Sequence, residues 1–148
     1  MLKLKYYIIV SFILSSFIFA QQSNLTTKSN KSENTQDENI VFTELESYIK
    51  EGNVASMSKY FGQQTYFSLS NGISGYYSSN QAYYVLEDFF KLYKVTSFKF
   101  DHIKSDNNNS YATGKYSYDS KGKRNVAQVY VSIKKIGNNW NIIQLTIN

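Results

Sequence analysis

Residues 78–93 read Ser78-Ser79-Asn80-Gln81-Ala82-Tyr83-Tyr84-Val85-Leu86-Glu87-Asp88-Phe89-Phe90-Lys91-Leu92-Tyr93. Ala82, Val85, Leu86, Phe89, Phe90 and Tyr93 recur at three- and four-residue intervals, so a helix over residues 79–93 presents an almost unbroken apolar stripe. Ser78 with Gln81 three residues on is a capping box, in which side chains satisfy backbone N–H groups that the first helical turn leaves unpaired. So wide a stripe needs a broad apolar partner, and a curved sheet is the natural one.

The residues that follow supply that sheet. Turn signals at Asp106 to Asn109, Asp119 to Lys123 and Gly137 to Asn139 divide them into four strands, roughly Thr96–Lys104, Ser110–Tyr118, Asn125–Ile136 and Trp140–Ile147. The short connections imply antiparallel neighbours. Alternation places Phe98, Phe100 and His102 on one face of the first strand, and Ala127, Val129, Val131 and Ile133 on one face of the third. On the last strand Ile143, Leu145 and Ile147 share a face, with Trp140 and Ile142 on the other.

Before the long helix, Val41, Phe42, Leu45, Tyr48 and Ile49 mark a first helix that Gly52 stops. Asn53 then caps a shorter helix with Val54, Met57 and Phe61 as its apolar positions. Thr65 to Ser70 alternates as a strand, Asn71-Gly72 is a turn dipeptide, and Gly75-Tyr76-Tyr77 adds a short second strand.

The N-terminus has a different composition. Lys3 and Lys5 precede the mostly apolar run Tyr6 to Phe19, and Ala20 offers a small residue for cleavage, so residues 1–20 read as a signal peptide. The apolar run is shorter than the ~20 residues a membrane span needs, which leaves no stable anchor after cleavage. The chain has no Cys, which excludes a lipidated cleavage site and a disulfide framework alike. Residues 21–39 are Ser, Asn, Thr, Lys, Gln and acids with a single Leu25, a polar spacer unable to bury a core. The domain proper therefore spans 40–148, in an exported, periplasmic or extracellular protein.

Helices first, a strand or hairpin, a long amphipathic helix and a curved four-stranded antiparallel meander is the element order of the α+β nuclear transport factor two-like cone, also called cystatin-like. Gly75-Tyr76-Tyr77-Ser78-Ser79-Asn80-Gln81-Ala82 with Leu86 and Asp88-Phe89-Phe90 resembles the signature of a small secreted bacterial family of unknown function with that fold. Phe98-Lys99-Phe100-Asp101-His102, Gly114, the turn at Gly122 and Arg124, and the closing Leu145-Thr146-Ile147 extend the resemblance over about 41–148. At the turn the chain departs from it, having Gly122-Lys123-Arg124-Asn125 where the family runs Gly-x-Tyr-Arg. The resemblance implies a fold and an exported location, and no catalytic residue.

Composition removes several functional classes. Without Lys3 and Lys5 the chain has 14 basic against 11 acidic residues, too mild an excess for nucleic-acid binding, and Lys121, Lys123 and Arg124 sit in a turn where charge is ordinarily solvated. One His and no Cys make no usual zinc site, the carboxylates have no EF-hand spacing, and no Ser stands in Gly-x-Ser-x-Gly, so neither metal nor cofactor is expected. His102, the single His, reads first as a structural, hydrogen-bonded strand residue, and Phe100, His102 and Tyr116 are the candidates to line a ligand pocket in the mouth of the cone. Asp101, the neighbour of His102, points the other way in a regular strand, so the two form no acid–base pair without a bulge. Tyr84 and Tyr130, both expected on exposed faces, form an aromatic contact patch if contiguous. Two readings follow. The first is a non-catalytic binding or assembly module that takes a small ligand or protein partner at the cone mouth or sheet face, with a homodimer through the sheet as one form. The second is a small pocket enzyme of isomerase or dehydratase type using His102.

Overall fold

The computed structural model describes residues 37–106 and 109–148. The signal peptide and all but the last three residues of the spacer lie outside them. The backbone is helical over residues 37–51 (α1), with Val41, Phe42, Leu45 and Ile49 buried along one face. Residues 37–39, assigned by composition to the spacer, are thus part of a helix, and Glu38 is buried. Gly52 ends α1 at φ +65°, a left-handed conformation that costs glycine little. Asn53 then caps α2 (Val54–Met57), its side chain accepting from the Ser56 N–H at 3.0 Å. A 3₁₀ turn, Ser58–Tyr60, leads into β1 (Phe61–Leu69), so Phe61 opens a strand where helical spacing assigned it to α2.

β2 (Ser74–Tyr77) completes a hairpin, and α3 (Ser79–Leu92) follows. The capping box is present: Gln81 Oε1 accepts from the Ser78 backbone N–H at 3.0 Å and from its hydroxyl at 2.9 Å. Ala82, Leu86, Phe89 and Phe90 are buried, with Val85 and Tyr93 packed partly against them. Truncating such a side chain to Ala typically costs about 2–5 kcal/mol.

The remaining strands are β3 (Lys94–Lys104), β4 (Asn109–Ser120), β5 (Lys123–Ile136) and β6 (Asn139–Ile147), joined antiparallel in sequence. They do not form a separate four-stranded sheet. β1 pairs parallel with β6, giving one six-stranded sheet in the order β2-β1-β6-β5-β4-β3. Its core-facing side carries lateral rows such as Phe67, Leu145, Val131 and Ala112, all buried. α1 is tied to the far edge, where Glu46 accepts the Phe100 N–H at 2.8 Å and Phe42 meets the Phe100 ring edge-on at 5.8 Å. Glu44 binds α1 to the 3₁₀ turn by accepting from Lys59 and, at 2.6 Å, from the Tyr60 hydroxyl. The Lys59 and Tyr60 bonds hold the Glu44 carboxyl below its usual range.

Two bulges correct the alternation read from sequence. Phe100 faces Gly114 and His102 faces Thr113, so β3 carries an extra residue at Asp101. His102 is thereby turned from the face of Phe98 and Phe100 to the opposite, outer face, where it is exposed. On β6 the extra residue is Ile143: Ile142 pairs with Ile133 and Gln144 with Ser132. Trp140, Ile142, Leu145 and Ile147 are therefore all buried on the core side, and Ile143 leaves the set to which alternation assigned it.

The β3 bulge depends on a missing side chain. A Cβ at position 114 would lie 2.3 Å from the Lys99 carbonyl oxygen, a backbone atom that cannot move aside cheaply. At Gly62, by contrast, the nearest atom to an added Cβ is the Asn141 side chain at 3.3 Å. Gly114→Ala is expected to cost about 2–4 kcal/mol in urea unfolding and Gly62→Ala under about 1 kcal/mol. Equal losses would contradict the backbone clash.

Candidate functional site

The three residues grouped from sequence do not line a common pocket. Tyr116 is wholly buried, its hydroxyl donating to the Tyr93 carbonyl at 2.6 Å, and burial pushes its pKa upward. Phe100 is buried edge-on against Phe98, ring centroids 4.9 Å apart. Tyr116 packs in turn on Phe90 and Phe98, so aromatic side chains occupy this part of the inner side. His102 is on the outer face, and none of the ion pairs among the described residues includes it. The Asp101 bulge is the irregularity a His102–Asp101 pair requires, yet no hydrogen bond joins these two described residues. Tyr84 and Tyr130 are not contiguous either. Tyr84 is 65% exposed on α3, which covers the core side, whereas Tyr130 belongs to the outer face.

That outer face holds the most developed chemistry among the described residues. One lateral row crosses all six strands as Lys104, Tyr111, Ser132, Gln144, Tyr66 and Tyr76. The adjacent row is His102, Thr113, Tyr130, Thr146, Ser68 and Ser74. Tyr111 stacks on Tyr130 at 5.6 Å, and Tyr66 meets Tyr76 edge-on at 5.1 Å. The sequence builds this face by alternation: every second residue from Gln64 to Ser68 points away from the core while Thr65, Phe67 and Leu69 point into it.

A cleft of about 440 Å³ opens in this face, lined by Gln64, Tyr66, Tyr76, Ile143 and Gln144. It lies where two irregularities coincide. Ile143 is the extra residue of β6, and between the pairs Phe61–Ile142 and Tyr66–Gln144 residues 62–65 of β1 stand opposite Ile143 alone. The ladder parts here, and two freed carbonyls find side-chain donors: Ser79 Oγ donates to Gly62 at 2.5 Å and Thr65 Oγ1 to Ile142 at 3.0 Å. The Tyr66 hydroxyl and Ser74 Oγ are 2.9 Å apart, and Gln144 Nε2 donates to Thr146 Oγ1 at 3.2 Å, so both lining groups are fixed in place. The sequence marks none of these residues as functional: Tyr76 reads as part of a short strand and Ile143 as one residue of a strand face. The signal available was the Ile142-Ile143 doublet, which breaks alternation where a bulge belongs.

A second cleft, of about 370 Å³, is lined by Asp37, Ile40, Val41, Lys59, Tyr60, Asn138, Asn139 and Trp140. The buried Trp140 Nε1 has no hydrogen-bond partner among the described residues. No cluster of His and carboxylate groups placed to hold a metal ion occurs among the described residues, and no helix among them is long and apolar enough to cross a membrane.

Residues 42–148 match a domain of unknown function, DUF4783. The chain belongs to that family. DUF4783 proteins of Bacteroides uniformis and Bacteroides ovatus are each 23% identical to it, with TM-scores of 0.65 and 0.62; the alignments cover 72% and 70% of this chain and 94% and 90% of theirs. A nuclear transport factor two-like protein of unknown function from Shewanella oneidensis is 17% identical at a TM-score of 0.54, over 76% of this chain and 97% of that one. No curated protein matches the chain. The expected family and α+β fold are thus present, and at these identities the neighbours speak for fold alone.

Within the family fold, Tyr116 is a core residue and His102 a surface one. Tyr116→Phe is expected to cost about 1–2 kcal/mol by orphaning the Tyr93 carbonyl, while His102→Ala stays within about 0.5 kcal/mol. Denaturant midpoints check both, and the reverse ranking would place the His in the interior.

Proposed function

We propose that this DUF4783 protein is an exported, non-catalytic binding or assembly module whose contact surface is the outer face of its sheet. The observation that carries the reading is the contrast between the two sides. The inner side is occupied by Phe42, Phe98, Phe100, Tyr116 and, from α3, Ala82, Leu86, Phe89 and Phe90, all buried. The outer side arrays tyrosines, a glutamine and hydroxyl residues across β4, β5, β6, β1 and β2, flanked by Lys104 and His102 on β3, with Tyr76 70% exposed. Aromatic rings that are broad, rigid and polar at one end are enriched at contact surfaces because they bury area at low entropic cost. An enzyme working through His102 draws no support from its position, since the imidazole is exposed on the outer face with no carboxylate paired to it among the described residues. A partner protein, a small ligand and a second copy of the chain are all compatible with this surface. Export rests on the N-terminal sequence.

The absence of native Cys makes the reading directly testable. Single cysteines replace Gln128, exposed on the outer face, or Lys91, exposed on α3. Their maleimide labelling rates are compared between purified protein and producing cells. Protection of Gln128→Cys at least about fivefold greater than that of Lys91→Cys is expected; equal rates would overturn the outer face as the contact surface.

A further inference from the structure

We infer that the cleft between β1, β2 and β6 is a subsite for a neutral saccharide, an assignment that rests on the outer face being the contact surface. Gln64, Tyr66, Tyr76, Ile143 and Gln144 bear no charge at neutral pH, so an ionic ligand would lose hydration without gaining a counter-charge. Two carboxamides and two phenols supply donors and acceptors together, which a purely hydrocarbon ligand could not use. A sugar ring matches both features: its C–H faces are apolar enough to lie against an aromatic ring, and its rim of hydroxyls needs partners that donate and accept.

The geometry is organised for this. Tyr66 and Tyr76 meet at an interplanar angle of 61°, forming a corner instead of a flat stack, and the contact between the Tyr66 hydroxyl and Ser74 fixes one wall. Gln144 spends one N–H on Thr146, leaving its carbonyl oxygen and second N–H for a ligand. Ile143 supplies an apolar patch beside it, because the bulge sends two successive residues of β6 to the same face. The cleft's size falls within the usual range for small-molecule sites. Tyr76 is the anchor, since it leaves most of a large ring in water when the site is empty.

The test titrates the chain, purified as cells process it, with cellohexaose, xylohexaose, mannohexaose, maltohexaose and chitohexaose in a calorimeter. At least one is expected to bind with a Kd of about 10 µM to 1 mM. Tyr76→Ala should weaken that binding roughly tenfold or more, Tyr76→Trp should keep it within about threefold, and Tyr84→Ala on the helix should leave it unchanged. Tyr76 is exposed, so folding of its variants is checked simply by an unchanged circular dichroism spectrum. No binding by any of the sugars, or binding indifferent to Tyr76→Ala, would overturn the assignment. So would preferential binding of a neutral Ser/Thr/Asn decapeptide along the β2 edge. If the sugars fail while Gln128→Cys remains protected in cells, the saccharide falls and the contact surface stands; if protection is also missing, both fall.

Discussion

The approach of β3 to β4 at Gly114 is the constraint from which the rest of the sheet follows. With the Lys99 carbonyl where a Cβ would sit, only glycine lets the two strands close around the Asp101 bulge. The bulge interrupts the core-facing alternation after Phe100 and gives the strand a bend. Phe100 is then placed to offer its N–H to Glu46 and its ring to Phe42, which docks α1 over the strand edge. The same device recurs at Ile143, and there the consequence falls on the outer side. Where β1 and β6 both leave regular pairing, the sheet surface opens into a cleft that continuous strands would have closed.

Much of this was legible in the sequence, because local signals decide helices and turns. Ser78 and Gln81 cap α3, Ala82 to Tyr93 form its stripe, and Asn53 caps α2, each through neighbours three or four residues away. The order of the elements and the core face of β5 were readable in the same way. The bulges were not, because they depend on how two distant strands meet. Period-two counting carries straight through Asp101 and Ile143, so His102 was assigned inward and Ile143 grouped with Leu145. The candidate site suffered accordingly. Alternation puts Phe100 on the face of Phe98, where it lies, but whether an aromatic interior leaves an opening is a matter of packing, which depends on Phe42, Phe90 and Phe98 arriving from three separate elements. The β1–β6 pairing, parallel and between residues far apart in the chain, had no local signature at all.

With no disulfide available, stability rests on that aromatic interior, where buried rings meet edge-on or stacked from α1, α3, β3 and β4. A cavity here would sacrifice contacts that hold α1 and α3 to the sheet. The outer face is under no such demand, since its side chains add little to the core. Tyrosines and glutamines there are free to serve recognition, and the bulges determine which of them converge.

The sheet opens where the irregularities of β1 and β6 coincide. Amide hydrogen exchange along β1, read residue by residue by NMR, measures this most directly. The Leu69 N–H bonds to Ile73 of the hairpin, so the alternate amides face β6: Tyr66 and Ser68, paired with Gln144 and Thr146, should be protected like the core strands, whereas Gln64, opposite the lone Ile143, should exchange at least about a hundredfold faster. Uniform protection from Phe61 to Leu69 would mean a continuous ladder, and with it no cleft.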